Sequence, residues 1–173
     1  MNKNIRGSSL IDAILTATLI VLVILPIFSF ILEGYIFTNK IQVIRDTVDI
    51  TNMAAVNSLD WVSLGKTGVS FDYGVLRENY KRILIENLLL DSNMRAKKDS
   101  LLDGNVVIEE LAVFTDGFPV ICPLGTQLLR NGVHSVIVFM VKPTLYSQVL
   151  RLLTGTEFIE FKMHTDTEIP ADK

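Results

Sequence analysis

From Ala13 to Leu32 the chain reads AILTATLIVLVILPIFSFIL, without one charged side chain. Coiled as a helix at ~1.5 Å per residue, this run is ~30 Å long, the thickness of a bilayer's hydrocarbon core. A secretory signal carries a shorter apolar core of ~7–15 residues and then a small-residue cleavage site. Here the run is longer and leads directly into Glu33-Gly34-Tyr35. The sequence therefore predicts a membrane-spanning helix, with the lipid bilayer as its first partner.

The flanks orient it. Lys3 and Arg6 precede the span, and no acidic residue comes before Asp12. Positive charge is retained on the cytoplasmic side, which exports everything after Leu32 and sets Tyr35 and Phe37 at the outer interface. The overall hydrophobic fraction of 49 % overstates the apolar character of the remainder, since much of it lies in the anchor. With net charge −3 and both signs interspersed, no basic stripe points to nucleic acid. The part beyond the anchor is long enough for one modest core. With Cys122 as the only cysteine, no intrachain disulfide can support that core.

Asp12 is the unexpected residue, a carboxylate at the cytoplasmic end of the apolar helix. An ionised carboxylate at mid-bilayer costs ~2.5–3.5 kcal/mol on insertion scales, and less near the edge, where it also favours the positive end of the helix dipole. The residues before it are Arg6-Gly7-Ser8-Ser9-Leu10-Ile11, so a glycine follows a basic leader and the acid comes five residues later.

This arrangement resembles the processing site of type IV prepilin-like proteins. It is most similar to the TadE-like pseudopilins of the tight-adherence (Flp pilus) system. The resemblance implies cleavage by a prepilin peptidase after Gly7, with Ser8 as the new N-terminus. It implies that Asp12 meets an N-terminal amine, either a neighbouring subunit's or its own chain's, which would offset desolvation and set helix register. It also implies partners among other pilin-like subunits or assembly-platform proteins, and a place in the cell membrane or a surface pilus. The sequence departs from the family pattern at Asp12, where the usual residue is a glutamate, one methylene longer. The motif is carried by residues 6–12, and the looser architecture reaches about residue 62. Pro26, inside the apolar helix, removes one backbone donor and predicts a kink; type IV pilins also carry a proline in this helix.

The predicted organisation is a cytoplasmic leader (1–7), a transmembrane helix (8–37), an extracytoplasmic amphipathic helix (38–64) and an extracytoplasmic α+β domain (65–173). Phe37, Ile41, Ile44, Val48, Ala55 and Leu59 recur at helical spacing, so one long helix from about Ser9 to Leu59 is expected. Its exported face either covers the domain's own sheet, the commoner arrangement, or contacts a neighbouring helix. Gly65 to Gly68 read as its stop and turn; Gly65-Lys66-Thr67-Gly68 lacks the frame of a phosphate loop.

A second helix is expected over 75–90 and a polar loop over 91–103. Strands are expected at 105–114, 133–141 and 156–164, with a short helix at 143–153 and a frayed tail from Thr165. The fold class is α+β: a long N-terminal helix followed by a small, mainly antiparallel sheet packed on helices.

No catalytic constellation emerges, and the chain is read as a non-enzyme without cofactor or metal. His134 and His164 read as structural, and Cys122 as a small buried hydrophobe with no histidine nearby in sequence. Glu109 and Glu110, adjacent on a strand, should point to opposite faces unless a bulge intervenes. Two rivals to the pilin-like reading are an unprocessed single-pass anchor presenting a protein-binding domain, and a membrane-tethered enzyme.

Overall fold

A computed structural model describes residues 5–57 and 73–168, with side chains at 10–55 and 74–168. Leu59 and the turn at 65–68 lie outside the described residues. The N-terminal helix runs as α1 (Ile5–Leu19), a π-helical turn (Ile20–Ile24) and α2 (Leu25–Asn57). The single long helix expected from the sequence is thus interrupted by that turn. Its cause lies just beyond, at Pro26. A proline ring clashes with the carbonyl four residues back and offers no N–H to the ladder. The π turn, in which the Leu25 N–H donates to the Ile20 carbonyl, adds one residue of slack immediately before it.

This is one helix long and apolar enough to cross a membrane, spanning Leu10–Ala55 with a mean hydropathy of 2.8 in its most apolar stretch. That stretch is unburied, with Leu22 and Phe30 each about 70 % exposed. Past Leu32 the same helix becomes part of a folded core. Ile44, Val48 and Ala55 are fully buried, and Phe37 and Ile41 pack beside them. The amphipathic face covers its own domain. Phe37 meets Phe161 at 5.5 Å between ring centroids.

A second helix, α3 (Tyr73–Asn87), lies against α2 and buries Leu76, Tyr80 and Leu84, spaced four residues apart. Burial lifts the Tyr80 phenol to about 12, with the nearby Ser135 hydroxyl offsetting only part of the effect. The Tyr80 oxygen has no fully formed hydrogen bond.

The strands are β1 (Asp103–Phe114), β2 (Val120–Ile121), β3 (Gln127–Leu128), β4 (Gly132–Val141) and β5 (Ile159–Glu168), with α4 (Ser147–Thr154) between the last two. The main sheet is antiparallel in the order β1-β4-β5, and β2 and β3 form a separate hairpin. The almost wholly apolar β4 is the central strand, as its composition predicts. One sheet face, with Ile137, Phe139 and Met163, joins the core formed with α2 and α3.

The expected frayed tail is corrected by the structure. β5 continues through Thr165 and Thr167, both buried, to Glu168. These threonines meet polar groups on α2. Asn52 Nδ2 donates to Thr167 Oγ1 at 2.9 Å, and that hydroxyl donates to Asp49 Oδ1 at 2.5 Å. For Glu109 and Glu110 the proviso attached to the expectation applies. A register shift between Ile108 and Glu110 supplies a bulge. Both carboxylates lie near enough to Lys162 to raise its ammonium pKa, through the Glu109 hydrogen bond first and the charge of Glu110 least. They diverge in their contacts, Glu109 to Lys162 at 2.5 Å and Glu110 to His134 at 3.3 Å.

Candidate functional site

The residues singled out at the N-terminus share one helix. Gly7, Ser8 and Asp12 all fall within α1. Positions 8 and 12 are four apart and so lie on the same helical face, one turn from each other. Asp12 is exposed, and its backbone carbonyl accepts a hydrogen bond from Thr16 Oγ1 at 2.8 Å. The Ser8 backbone nitrogen therefore lies about one turn from Asp12, whose side chain is exposed.

At the other end of the apolar run, a second carboxylate is enclosed. Glu33 is only 8 % exposed. It accepts from the backbone N–H of Thr144 at 2.7 Å and from that of Leu145. Two charge-assisted bonds offset the desolvation that burial imposes on the carboxylate. The next residue, Tyr146, reaches further down the helix. Its hydroxyl donates to the Pro26 carbonyl at 3.0 Å, and its ring stands edge-on to Phe30 at 6.1 Å. Pro26 and Phe30 both belong to the uncharged run, so the loop before α4 is fastened alongside the apolar segment itself. Pro26 thus supplies a carbonyl to this clasp, in addition to breaking the ladder.

Helix α4 continues from that clasp with a pronounced apolar side. Leu152 is 86 % and Leu153 80 % exposed, with Leu145 and Val149 about half exposed. Gly155, at φ +80°, ends the helix, donating its N–H to the Arg151 carbonyl at 2.9 Å.

A polar cluster lies on the sheet face opposite the core. In the β4–β5 register His134 pairs with Asp166 and Val136 with His164. Because alternate residues share a face, His134, His164 and Asp166 project together. The β2–β3 hairpin folds over them and delivers Cys122. His134 Nδ1 lies 2.8 Å from Asp166 Oδ1, and His164 Nε2 lies 2.7 Å from Asp166 Oδ2. The Cys122 thiol contacts the same Oδ2 at 3.2 Å and stands 3.7 Å from His164 Nε2. Cys122, expected to lack a histidine partner, has one across the fold. His134 is fully buried, and its Nε2 lies 3.3 Å from Glu110 Oε2.

Burial is the largest influence on the Asp166 carboxyl and pushes its pKa up. Hydrogen bonds from His134, Cys122, His164 and Thr126 together outweigh it and hold the carboxyl below the ordinary aspartate value. The members come from distant segments, and the sequence signal available was His164-Thr165-Asp166, a same-face pair at strand spacing. The structure does not bring this cluster near Asp12 or Glu33 through any hydrogen bond or ion pair among the described residues. Comparison of the chain with family models, curated proteins and solved structures returned no match.

Proposed function

We propose that this chain is a TadE-like minor pseudopilin, held in the cell membrane by its N-terminal helix, with its α+β domain outside. In this reading a prepilin peptidase cuts after Gly7, and the mature subunit joins or helps assemble an envelope pilus or secretion complex. The observation that carries it is a single helix with two environments. Its first half is apolar and unburied, its second half is the spine of an antiparallel domain, and Gly7, Ser8 and Asp12 stand at its start.

The work such a subunit does is mechanical. Helices packed side by side in lipid need a polar contact to choose register, because apolar surfaces slide against one another at little cost. Asp12 paired with the amine created at Ser8 would provide it. The Glu33 and Tyr146 clasp supports the same reading, since it ties the domain directly to the end of the span. In that pose the leucines of α4 rest in the headgroup region, where an amphipathic helix lies with its apolar face buried ~5–10 Å.

Intact-mass measurement of the chain from cells with and without a cognate prepilin peptidase tests the proposal. The expected result is a mature chain beginning at Ser8 only when the peptidase is present. A chain still beginning at Met1 overturns processing and leaves an unprocessed anchor. Cross-linking between subunits that is unchanged by Asp12→Ala overturns the assembly role.

A further inference from the structure

We propose that Cys122, His134, His164 and Asp166 form a binding site for a single divalent transition-metal cation of the zinc type, which fastens the β2–β3 hairpin to the sheet. The four donor atoms, one from each residue, lie within 4.8 Å of one another. Thiolate, imidazole and carboxylate together are the donor set of zinc, and four protein donors fill a tetrahedral shell. With no position left for water or substrate, the site is structural.

Two features beyond the donors point the same way. Imidazoles that bind a metal through one nitrogen usually donate from the other to a carboxylate, which fixes the tautomer. His134 has this arrangement, with Nδ1 turned into the cluster and Nε2 3.3 Å from Glu110 Oε2. At the sulfur, the Thr126 backbone N–H donates to Cys122 Sγ at 3.3 Å. The turn from Cys122 to Thr126 is closed by Gly125, at φ +92°, whose N–H donates to the Cys122 carbonyl at 2.9 Å. An N–H aimed at the sulfur is an outer contact that fixes where a ligating sulfur points.

Charge and distance also fit. A divalent cation with one thiolate, one carboxylate and two neutral imidazoles makes a neutral site, the arrangement least costly to bury. Metal–ligand bonds of ~2.0–2.3 Å in a tetrahedron place donors ~3.3–3.7 Å apart. The two Cys122 separations, 3.2 and 3.7 Å, are already at or near that spacing. The His164–Asp166 contact at 2.7 Å would open by roughly 0.6 Å to reach the short end of that range.

The hairpin needs such a fastening. Across residues 115–131 only Cys122 and Leu128 are buried, while Ile121, Leu124 and Leu129 are each more than half exposed. A hydrogen-bonded hub around Asp166 is the plainer explanation, but a thiol is a weak hydrogen-bond donor and gives such a hub little.

The test uses the full-length chain in detergent micelles, stripped with chelator and titrated with Co²⁺ as a spectroscopic probe. The expected result is one Co²⁺ per chain, with tetrahedral d–d bands and a thiolate-to-cobalt charge-transfer band, all bleached by one equivalent of Zn²⁺. Cys122→Ser should abolish the charge-transfer band. Glu110→Gln, a change at a half-exposed side chain, should keep the bands and weaken affinity about 10–100-fold. Absence of the bands in the unsubstituted chain overturns the proposal, whatever the variants do. So do bands unaltered by both Cys122→Ser and His164→Ala.

Discussion

Glu33, the first charged residue after the apolar run, accepts the backbone N–H of Thr144 at 2.7 Å, joining the long helix, where its uncharged run ends, to the loop that leads into α4. Leu145 donates to the same carboxylate. The bonds close a contact between segments 111 residues apart and make the orientation of the domain on its helix a defined one.

Removing the Glu33 carboxylate should free this loop without unfolding the sheet. Glu33→Ala leaves the amides of Thr144 and Leu145, both on exposed residues, to find water instead, a net loss of about 0.5–1.5 kcal/mol for each bond. Glu33→Gln keeps one acceptor oxygen but turns an NH₂ toward a second donor, and should fall between the two. Hydrogen exchange at the Thr144 and Leu145 amides measures it, with acceleration of about tenfold or more in the alanine variant. Amides of β4 should be unchanged.

The polar seam between α2 and β5 gives a second expectation. Thr167 accepts from Asn52 and donates to Asp49, while Asn52 Oδ1 has no partner among the described side chains. Thr167→Val keeps the shape and strips both bonds, and should cost ~1–3 kcal/mol. Pairing it with Asn52→Leu replaces both partners by apolar groups, so part of that loss should be regained. A double-mutant cycle on thermal unfolding reads the coupling.

The same seam shows why the sequence was legible in some places and not in others. Ile44, Val48 and Ala55 announce a helix face because each buries against apolar partners, and β4 announces a central strand for the same reason. Thr165 and Thr167 are buried too, yet against Asn52 and Asp49, so hydropathy carries no trace of the alternation. The polar cluster depended on a register, His134 opposite Asp166, that hydrophobic patterning sets only after the strands are paired. The hairpin carrying Cys122 then had to fold over it. Glu33 was visible as the charged end of the span, but its partners are backbone amides, which no side-chain pattern reveals.

Tyr80 sets the behaviour at high pH. Its phenol is raised from 10.0 to about 12 by burial, so the folded state holds its proton longer than the unfolded chain does. The associated stability is fully present below about pH 10, the unfolded value, and is lost as pH rises through 10 toward 12. The full loss is on the order of 2–3 kcal/mol. Tyr80→Phe removes a hydroxyl without a formed hydrogen bond, so stability near pH 7 should change by under ~1 kcal/mol. Chemical denaturation of both chains from pH 8 to 12 should show the difference between them growing only above pH 10.

The last prediction concerns where α4 sits. If the apolar run crosses the bilayer, Tyr146 on Pro26 and Phe30 holds the start of α4 at the lipid boundary, and Leu152 and Leu153 have an apolar phase to enter. Each leucine side chain moved from water to lipid contributes ~1.5–3 kcal/mol, enough to fix the helix flat on the surface. With Trp61, the sole tryptophan, replaced by Phe, a Leu152→Trp variant in vesicles reports the depth directly. Its fluorescence should be quenched by lipids brominated near the headgroup end of their chains and shielded from aqueous iodide. A Val107→Trp variant, on the exposed outer face of β1, should show the reverse. Equal iodide quenching at both positions would place α4 in water, and the leucines would then need a protein partner instead of lipid.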